Sequence, residues 1–354
     1  MNVLLTCAGR RNYLVECFRT ALGGRGLVLA CDSSGSAPAL AEADRSYVVP
    51  TIGRSEYYDT LLSICRDQQV GLLVSVYDLE LRELARRAPR FQAGGTLVAI
   101  SAPETIALCH DKWTTYRFLR SCNIATPATY VSLEAARRAL QQNLLSYPLV
   151  LKPRWGTSSI GLMYAENERE LTLAYAWGRL QVSRSIITQM SGENASDDLV
   201  IQECIQGQEY GMDIVNDFEG RHRAVIARRK LAMRAGNTDR AITVSDPLLE
   251  RIGMLIGEQL QHFGSVDCDV IVRDDECHVL DINPRLGGGY PFSHMAGANL
   301  PAALIAWARG EEPDPAWLRA RPGVLVAKYD GMIAMDRTSV SVISCAETVA
   351  SAPV

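Results

Sequence analysis

The sequence predicts an α/β protein that begins with a parallel β-sheet. Short apolar runs have the length and composition of buried strands. They occupy residues 3–6, 27–31, 72–76 and 96–100. The intervening segments show helical periodicity, as where Tyr57, Leu61 and Ile64 share one helix face. Apolar strands that alternate with amphipathic helices are typical of a parallel sheet with crossover helices.

Composition limits the class of protein. The chain has 354 residues, which corresponds to about two domains or to one enzyme of two or three lobes. Apolar residues make up 47% and charged residues 21%, which excludes disordered, collagen-like and disulfide-scaffold proteins. The net charge of -4 is too balanced for a surface that binds nucleic acid or a membrane. We expect neither partner, whereas a small anionic ligand is compatible with this charge.

Cellular location and cysteine chemistry are predicted from two further features. No apolar run approaches the roughly 18 residues that span a bilayer, and the first residues lack a basic segment ahead of an apolar one. The 10 cysteines form no Cys-x-x-Cys pair and lie mostly in apolar segments. We therefore expect a cytoplasmic protein with buried free thiols, and disulfides or a metal site are the alternatives.

The carboxyl ends of the parallel strands are the expected ligand-binding edge of the first sheet. The first loop there contains only Gly9, followed by Arg10 and Arg11, so the G-x-G-x-x-G pattern of a dinucleotide site is not met. A dehydrogenase or a nucleotide-binding regulator that uses this sheet is therefore the less favoured class. Asp78 and Glu80, at the end of another strand, are candidates for holding a substrate ammonium, and solvated surface charges are the alternative.

The second part of the chain predicts antiparallel hairpins and isolated helices. Asp111 and Asp246 are placed to cap helices, and another helix begins at residues 299–301 and ends near Gly310. The expected strands occupy residues 147–152, 199–205, 209–215, 223–230, 265–272 and 277–282. Residues 232–240 are rich in glycine and polar side chains and predict a mobile loop that could fold over a substrate.

Lys152 ends an apolar strand and is followed by a glycine- and serine-rich loop at residues 153–161. Small residues let backbone N–H groups approach phosphate oxygens, and a lysine at the strand end can contact the same phosphates. The loop is not a P-loop, because no Gly-Lys-Ser/Thr triplet opens a helix. An ordinary turn and a snorkelling surface lysine are the alternatives.

Asp269, Asp281 and Asn283 lie on the two arms of the last hairpin, and Asp281 and Asn283 share one strand face because they are two residues apart. Hard oxygen donors without histidine or cysteine suit Mg²⁺, which is usually shared with substrate phosphates. The sequence therefore predicts a magnesium–nucleotide site. Acidic residues that face solvent are the alternative, which is less natural for Asp281 inside an apolar strand.

These motifs together resemble the ATP-grasp superfamily. The segment at residues 281–285, together with Pro291 and Phe292, is similar to the large subunit of carbamoyl phosphate synthetase. The resemblance spans roughly residues 1–310. It implies an N-terminal Rossmann-like parallel sheet followed by a two-lobed ATP-grasp fold. The implied domains are residues 1–110, a small lobe at 111–203, a large lobe with the metal site at 204–312, and a C-terminal strand and tail at 313–354.

The resemblance also implies roles for individual residues. ATP phosphates are expected at Lys112, Lys152, Gly156, Thr157, Ser158 and Ser159. The adenine and ribose are expected at Glu203, Cys204, Ile205 and Glu209. Arg285 is expected to face the γ-phosphate, with a structural salt bridge as the alternative. The implied cofactors are ATP and Mg²⁺, with two ions at the site and Mn²⁺ as a substitute.

The sequence departs from the family at three places. Asp281 stands where the family usually has glutamate. Asp269 stands where carbamoyl phosphate synthetase has glutamine, and many ATP-grasp ligases have an acidic residue at this position, as this chain does. Gly287, Gly288 and Gly289 replace bulkier residues, and either a close approach to the acceptor or a turn explains them equally well.

The implied reaction joins a small carboxylic acid to an amine or amino acid through an acyl phosphate, with release of ADP and phosphate. Arg285, Lys230 and Arg234 are the catalytic candidates, and Arg234 is the candidate that clamps the acid's carboxylate. The alternative enzymatic activity is that of a kinase or a carboxylase-like enzyme that acts on a small acid or bicarbonate. A homodimer is compatible with either reaction.

Overall fold

The structure is a computed structural model that describes residues 1–156, 161–184, 198–335 and 340–342. The chain divides into two compact units. The first contains Met1–Ala99, Leu304–Glu312 and the described part of Asp330–Val354, and the second contains Ile100–Ala303 and Pro313–Tyr329. In the described ranges no helix has the length and apolarity needed to cross a membrane. The cytoplasmic location and the boundary between a small and a large lobe stay predictions.

The first unit contains a parallel six-stranded sheet in the order β16-β3-β2-β1-β4-β5. Its central strand is fully buried from Val3 to Thr6, as expected of a strand covered on both faces. The strands are β1 (Asn2–Thr6), β2 (Val28–Asp32), β3 (Arg45–Val48), β4 (Val70–Ser75), β5 (Leu97–Val98) and β16 (Val340–Val342). The first helices are α1 (Asn12–Leu22), α2 (Pro38–Glu42), α3 (Tyr57–Asp67) and α4 (Asp78–Ala93). The predicted parallel sheet is confirmed, although β3 was not predicted.

The second unit contains two antiparallel sheets. The four-stranded sheet has the order β6-β9-β7-β8, with β6 (Thr129–Tyr130), β7 (Leu149–Pro153), β8 (Met163–Ala165) and β9 (Leu199–Glu203). The six-stranded sheet has the order β14-β13-β10-β11-β12-β15, with β10 (Gln208–Asn216), β11 (His222–Arg234), β12 (Asn237–Val244), β13 (Gly264–Arg273), β14 (Glu276–Asn283) and β15 (Leu325–Ala327). The remaining helices are α5 (Pro103–His110), α6 (Lys112–Ser121), α7 (Leu133–Gln141), α8 (Glu168–Ser183), α9 (Pro247–Leu260), α10 (Tyr290–Met295) and α11 (Leu300–Ala308), with a 3₁₀ helix at Pro315–Leu318.

The antiparallel six-stranded sheet of the second unit has one apolar face and one charged face. Met212, Val266 and Cys268 belong to a core that α9 covers with Leu249 and Ile256. The neighbouring positions on the same strands carry aspartates, because successive side chains of a strand point to opposite faces. Burial of one face therefore directs the charged side chains to the other, where the site described below is found.

Residues 232–240 form a hairpin, so the prediction of a mobile loop is wrong. Met233 pairs with Thr238 and Arg234 with Asn237 at the ends of β11 and β12. Ala235 and Gly236 make the connection with φ values of 48° and 75°. A two-residue turn with positive φ at both positions matches the twist of paired strands. The usual sequence signal for this turn is Asn-Gly or Asp-Gly, and alanine at the first position concealed it.

The described cysteines are free thiols, as predicted, at positions 7, 17, 31, 65, 109, 122, 204, 268 and 277. Six of them are buried as expected, whereas Cys7, Cys122 and Cys204 are only partly buried. Cys268 and Cys277 lie in the core behind the six-stranded sheet.

Candidate functional site

A cavity of about 620 Å³ in the second unit is lined by residues of both of its sheets. This volume is typical of small-molecule sites. The predicted site residues that line it are Lys112, Lys152, Gly156, Glu203, Cys204, Ile205, Glu209, Lys230, Asp269, Asp281, Asn283 and Arg285. Thr157, Ser158 and Ser159 lie outside the described residues. Residues that are up to 173 positions apart, as Lys112 and Arg285 are, thus meet at one cavity.

Lys112 is held at the cavity by the first turn of α6. The Asp111 carboxylate accepts a hydrogen bond from the backbone N–H of Trp113 at 2.9 Å and so caps the helix. Arg154 binds both oxygens of Asp111 at 2.7 Å, which fixes the segment that follows β7 against the helix. The Lys112 ammonium then lies 2.8 Å from the carbonyl oxygen of Gly156 and 3.6 Å from Asp281 Oδ2.

Lys152 is the second ammonium in the cavity lining. It lies on β7, opposite Val200 of β9. Burial lowers the pKa of Lys152 to about 8, and the nearby Asp281 and Asp269 only partly oppose this effect. An ammonium that has lost hydration gains more from an anionic ligand than an exposed lysine does. This environment favours a phosphate-binding lysine over a snorkelling one.

The carboxylates of the last hairpin are placed on one face by its register. Asp269 pairs with Asp281, and Asp267 pairs with Asn283, across β13 and β14. The register shifts after Asp269, which leaves Leu280 outside the pairing and turns the end of β14 relative to the rest of the strand. Asp267, Asp269, Asp281 and Asn283 all line the cavity as a result.

Each predicted metal-ligating carboxylate has an ammonium partner. Lys230 Nζ lies 2.7 Å from Asp269 Oδ1, and Lys112 is the partner of Asp281. Burial alone raises the pKa of Asp269, but the Lys230 ammonium brings it below its usual value. Asn283 donates its amide N–H to the carbonyl oxygen of Asp267 at 3.4 Å, so its amide oxygen is the atom left to ligate.

This donor set fits Mg²⁺ shared with phosphates better than a cation held by protein alone. In the part of the chain that is described, no three His, Cys, Asp or Glu side chains are grouped to hold a metal ion. Two carboxylates and one amide oxygen leave several coordination positions for phosphate oxygens and water, as is usual for Mg²⁺.

A buried ion network beside the site escaped prediction. Arg228 is fully buried and donates to Asp213 Oδ2 at 2.7 Å and to Asp267 Oδ1 at 2.6 Å. Ser293 also donates to Asp213 Oδ2. The second oxygen of Asp267 lies 3.7 Å from Arg285 Nη1. The network therefore links buried strands to Arg285, the residue predicted to face the γ-phosphate. The sequence signal that could have revealed it is Asp267, which lies two residues before Asp269 and so on the same strand face.

The same network explains two of the three consecutive glycines. A Cβ atom on Gly289 would lie 2.1 Å from Arg228 Nη2, and one on Gly287 would lie 2.2 Å from Asp267 Cγ. Neither glycine has a positive φ, so a special turn conformation is not the reason for them. Close approach of the backbone to charged protein side chains requires these glycines.

The residues predicted to receive the adenine lie on the segment that connects the two sheets of the second unit. Glu203 ends β9, and its backbone N–H donates to the Ala128 carbonyl oxygen at 3.0 Å. Gly207 follows closely, and a Cβ there would lie 2.5 Å from the Val272 carbonyl oxygen. The chain thus passes from one sheet to the other through a tightly packed segment, with Cys204 and Ile205 on the cavity wall.

Arg234 and Glu80 have surroundings that do not favour their predicted roles. Arg234 is 53% exposed, pairs with Asp239 at 3.1 Å, and is not among the residues that line the cavity. In the first unit, Glu80 is fully buried and accepts hydrogen bonds from Thr6, Ser75 and Tyr57 at 2.6–2.8 Å. Its oxygens are already satisfied by neutral hydroxyls, so its burial is structural. Asp78 is also buried, at 4% exposure.

Lysines beside hard oxygen donors on the wall of one cavity are typical of the class of proteins that bind a phosphorylated ligand with Mg²⁺. The comparisons identify the family. Residues 109–289 match the ATP-grasp domain, and residues 3–99 match the PylC-like N-terminal domain. The match of the first covers half of the chain, and the chain therefore belongs to the ATP-grasp family.

Individual relatives are distant. A D-alanine–D-alanine ligase from Marinomonas sp. is 29% identical over 33% of this chain and 32% of its own length. A carbamoyl phosphate synthase large chain from Pseudothermotoga lettingae is 22% identical over 62% of this chain and 20% of its own length. The chain spans between 11% and 32% of the length of the first curated relatives that it matches.

The fold is also found in a solved structure. Biotin carboxylase from Campylobacter jejuni aligns with a TM-score of 0.72 at 17% identity, over 90% of this chain and 73% of the carboxylase. At this identity the similarity shows the fold alone. The predicted α/β fold class and the resemblance to the ATP-grasp superfamily and to carbamoyl phosphate synthetase are confirmed.

Proposed function

We propose that this protein is an ADP-forming carboxylate–amine ligase that uses Mg-ATP and joins a small acid to an amine or amino acid. The observation that carries the proposal is the convergence of Lys112 and Lys152 with Asp269, Asp281 and Asn283 on one cavity of about 620 Å³. The two ammonium groups match phosphate oxygens, and the three oxygen donors match Mg²⁺. The similarity to a D-alanine–D-alanine ligase over 33% of the chain supports amide formation.

The reaction proceeds in two steps. An oxygen of the acid's carboxylate forms a bond to the γ-phosphorus while the bond from that phosphorus to the bridging oxygen of ADP breaks. The amine nitrogen then bonds to the acyl carbon, phosphate leaves with its electron pair, and the amine's proton passes to solvent. Phosphoryl transfer needs mainly positioning and charge stabilisation from the protein.

Each group of residues has a task in this scheme. Lys152 and Lys112 bind phosphate oxygens, and Arg285 stabilises the charge on the transferred phosphoryl group. Asp269, Asp281 and Asn283 hold Mg²⁺, which when bound neutralises the charge of the phosphates. Lys230 offsets the charge of Asp269. Glu203, Cys204, Ile205 and Glu209 receive the adenine and ribose.

The acid is expected at the end of the cavity formed by the β11–β12 hairpin and the glycine segment. Met233 and Thr238 of the hairpin line the cavity there together with Gly288 and Gly289. Arg285 and Arg228 line the cavity and Arg234 does not, and Arg228 is already bound by Asp213 and Asp267. We therefore assign binding of the acid's carboxylate to Arg285 in preference to Arg234.

The test is a matrix of acids and amines in which release of ADP and phosphate is measured for every pair. A ligase releases ADP strictly in the presence of both substrates, and hydroxylamine in place of the amine yields a hydroxamate from the acyl phosphate. ADP release with acid alone, accompanied by a stable phosphorylated product, would identify a kinase instead. Release that depends on bicarbonate would identify a carboxylase-like enzyme.

A further inference from the structure

A second cavity lies at the other end of strand β11. Its volume is about 580 Å³, close to that of the first cavity. It is formed by the start of β11, by α9 and by the 3₁₀ helix Pro315–Leu318. Its lining is His222, Arg223, Ala224, Val225, Pro247, Glu250, Arg251, Met254, Pro315, Leu318 and Arg319. None of these residues lines the first cavity, so the two are separate sites on one sheet.

One part of the wall of the second cavity is apolar and closely packed. Val225 and Leu318 contribute side chains to it, and Met254 is 43% exposed. Helix α9 approaches β11 closely at this point, because a Cβ atom on Gly253 would lie 2.6 Å from Val225 Cγ2. A wall on rigid elements that leaves a large apolar side chain exposed can bind the apolar part of a ligand.

The charges around the cavity are predominantly positive. Arg223 is paired with Asp217 at 3.2 Å. For the described portion of the chain, neither Arg251 nor Arg319 has an ion pair or a side-chain hydrogen bond to the protein. Glu250 is the acidic residue of the lining, and it accepts a hydrogen bond from Ser245 at 3.0 Å. Three guanidinium groups therefore share the cavity with one carboxylate.

We propose that the second cavity binds a small organic anion with an apolar body. Arg251 and Arg319 hold its oxyanion, a carboxylate or a phosphate monoester, while Met254 and Leu318 contact its body. The planar fork of a guanidinium matches both kinds of oxyanion with two parallel hydrogen bonds. Both arginine side chains are exposed, so a ligand in the cavity can reach them directly.

The proposal is tested by titrating 8-anilinonaphthalene-1-sulfonate, an aromatic anion, into the full chain with MgADP in excess to occupy the first cavity. We expect saturable binding to one site. The double variant Arg251→Ala/Arg319→Ala should raise its Kd at least about tenfold, since charge-assisted hydrogen bonds are lost. Arg120→Ala, which removes an exposed arginine outside both cavities, is the matched control and should leave the Kd unchanged.

Competition separates the two sources of the oxyanion and the role of the apolar body. Displacement by benzoate identifies a carboxylate site, and displacement by phenyl phosphate identifies a phosphate-ester site. Displacement by inorganic phosphate at the same concentration overturns the part assigned to Met254 and Leu318. An unchanged Kd in the double variant, or an equal loss in Arg120→Ala, overturns the site itself.

Discussion

Two groups of carboxylates in this molecule are stabilised in different ways. Glu80 in the first unit accepts hydrogen bonds from the neutral hydroxyls of Thr6, Ser75 and Tyr57. Asp269 and Asp281 in the second unit instead face the ammonium groups of Lys230 and Lys112. Hydroxyl donors satisfy the hydrogen-bonding capacity of a carboxylate within the fold. A lysine beside a cavity can instead bind an incoming anion, and its carboxylate partner then becomes available to a metal ion. We therefore propose that the lysine partners mark Asp269 and Asp281 as ligand-binding carboxylates, whereas the hydroxyl partners mark Glu80 as a structural one.

The strongest test of this difference is Asp281→Asn. The amide keeps the size of the side chain but removes the charge that the metal requires. We expect kcat to fall by at least about a thousandfold, roughly 4 kcal/mol of transition-state stabilisation, with a smaller effect on the binding of free nucleotide. Turnover is measured by ADP release at saturating Mg²⁺. Near-normal turnover there would place the metal elsewhere.

The next largest effect is expected on stability, from Arg228→Met. Methionine fills part of the space but leaves the buried carboxylates of Asp213 and Asp267 without their guanidinium. Removing one partner of a buried ion pair costs about 3 kcal/mol or more. Urea unfolding should show this loss, whereas the matched variant Arg234→Met at the exposed hairpin should change the free energy of unfolding by less than about 1 kcal/mol. Equal losses in the two variants would contradict the buried network.

Lys152→Ala tests the phosphate contact directly. Loss of a charge-assisted hydrogen bond is worth about 2 kcal/mol, so we expect the Kd for ATP to rise about 30-fold with the fold intact. Calorimetric titration measures the Kd, and circular dichroism checks folding. An unchanged Kd in a folded variant would remove Lys152 from the nucleotide site.

The pKa of Lys152, about 8 in the free protein, makes this contact sensitive to pH. The ammonium is charged below that pH and neutral above it, so affinity for ATP should decline as pH rises. We expect the Kd to increase about fivefold between pH 8 and pH 9, because the charged fraction falls by that factor. Lys152→Arg, which stays charged, should give a flat profile over this range. The same slope in both proteins would assign the titration to another group.

The sequence predicted which residues meet at the cavity better than it predicted the β11–β12 hairpin and strand β3. The convergence of Asp269, Asp281 and Asn283 could be predicted because alternation along a strand fixes which side chains share a face. The β11–β12 hairpin was missed because Ala235 gives no turn signal, and β3 was missed because a four-residue strand carries little periodicity.

The Arg228 network could not be predicted for a different reason. Its members lie on three strands and a helix, and their pairing depends on the register of β10, β11 and β13 in the folded sheet. The need for Gly287 and Gly289 follows from that packing, so the sequence alone left their role open between a turn and a close approach.

The smallest effect is expected at Glu80, from the substitution Glu80→Gln, which is the counterpart of Asp281→Asn. Burial raises the pKa of Glu80, and the hydrogen bonds from Ser75 and Thr6 oppose this only in part. The amide avoids the cost of burying a charge, and the three hydroxyls can rotate to donate to its oxygen or to accept from its nitrogen, but their hydrogen bonds to a charged acceptor are lost. These effects oppose each other, so the free energy of unfolding should change by no more than about 1 kcal/mol, and kcat should stay near that of the parent. Thermal unfolding and steady-state kinetics with both substrates measure these quantities. A loss of turnover comparable to that of Asp281→Asn, in a variant of unchanged stability, would instead give Glu80 the substrate-binding role that the sequence predicted for it.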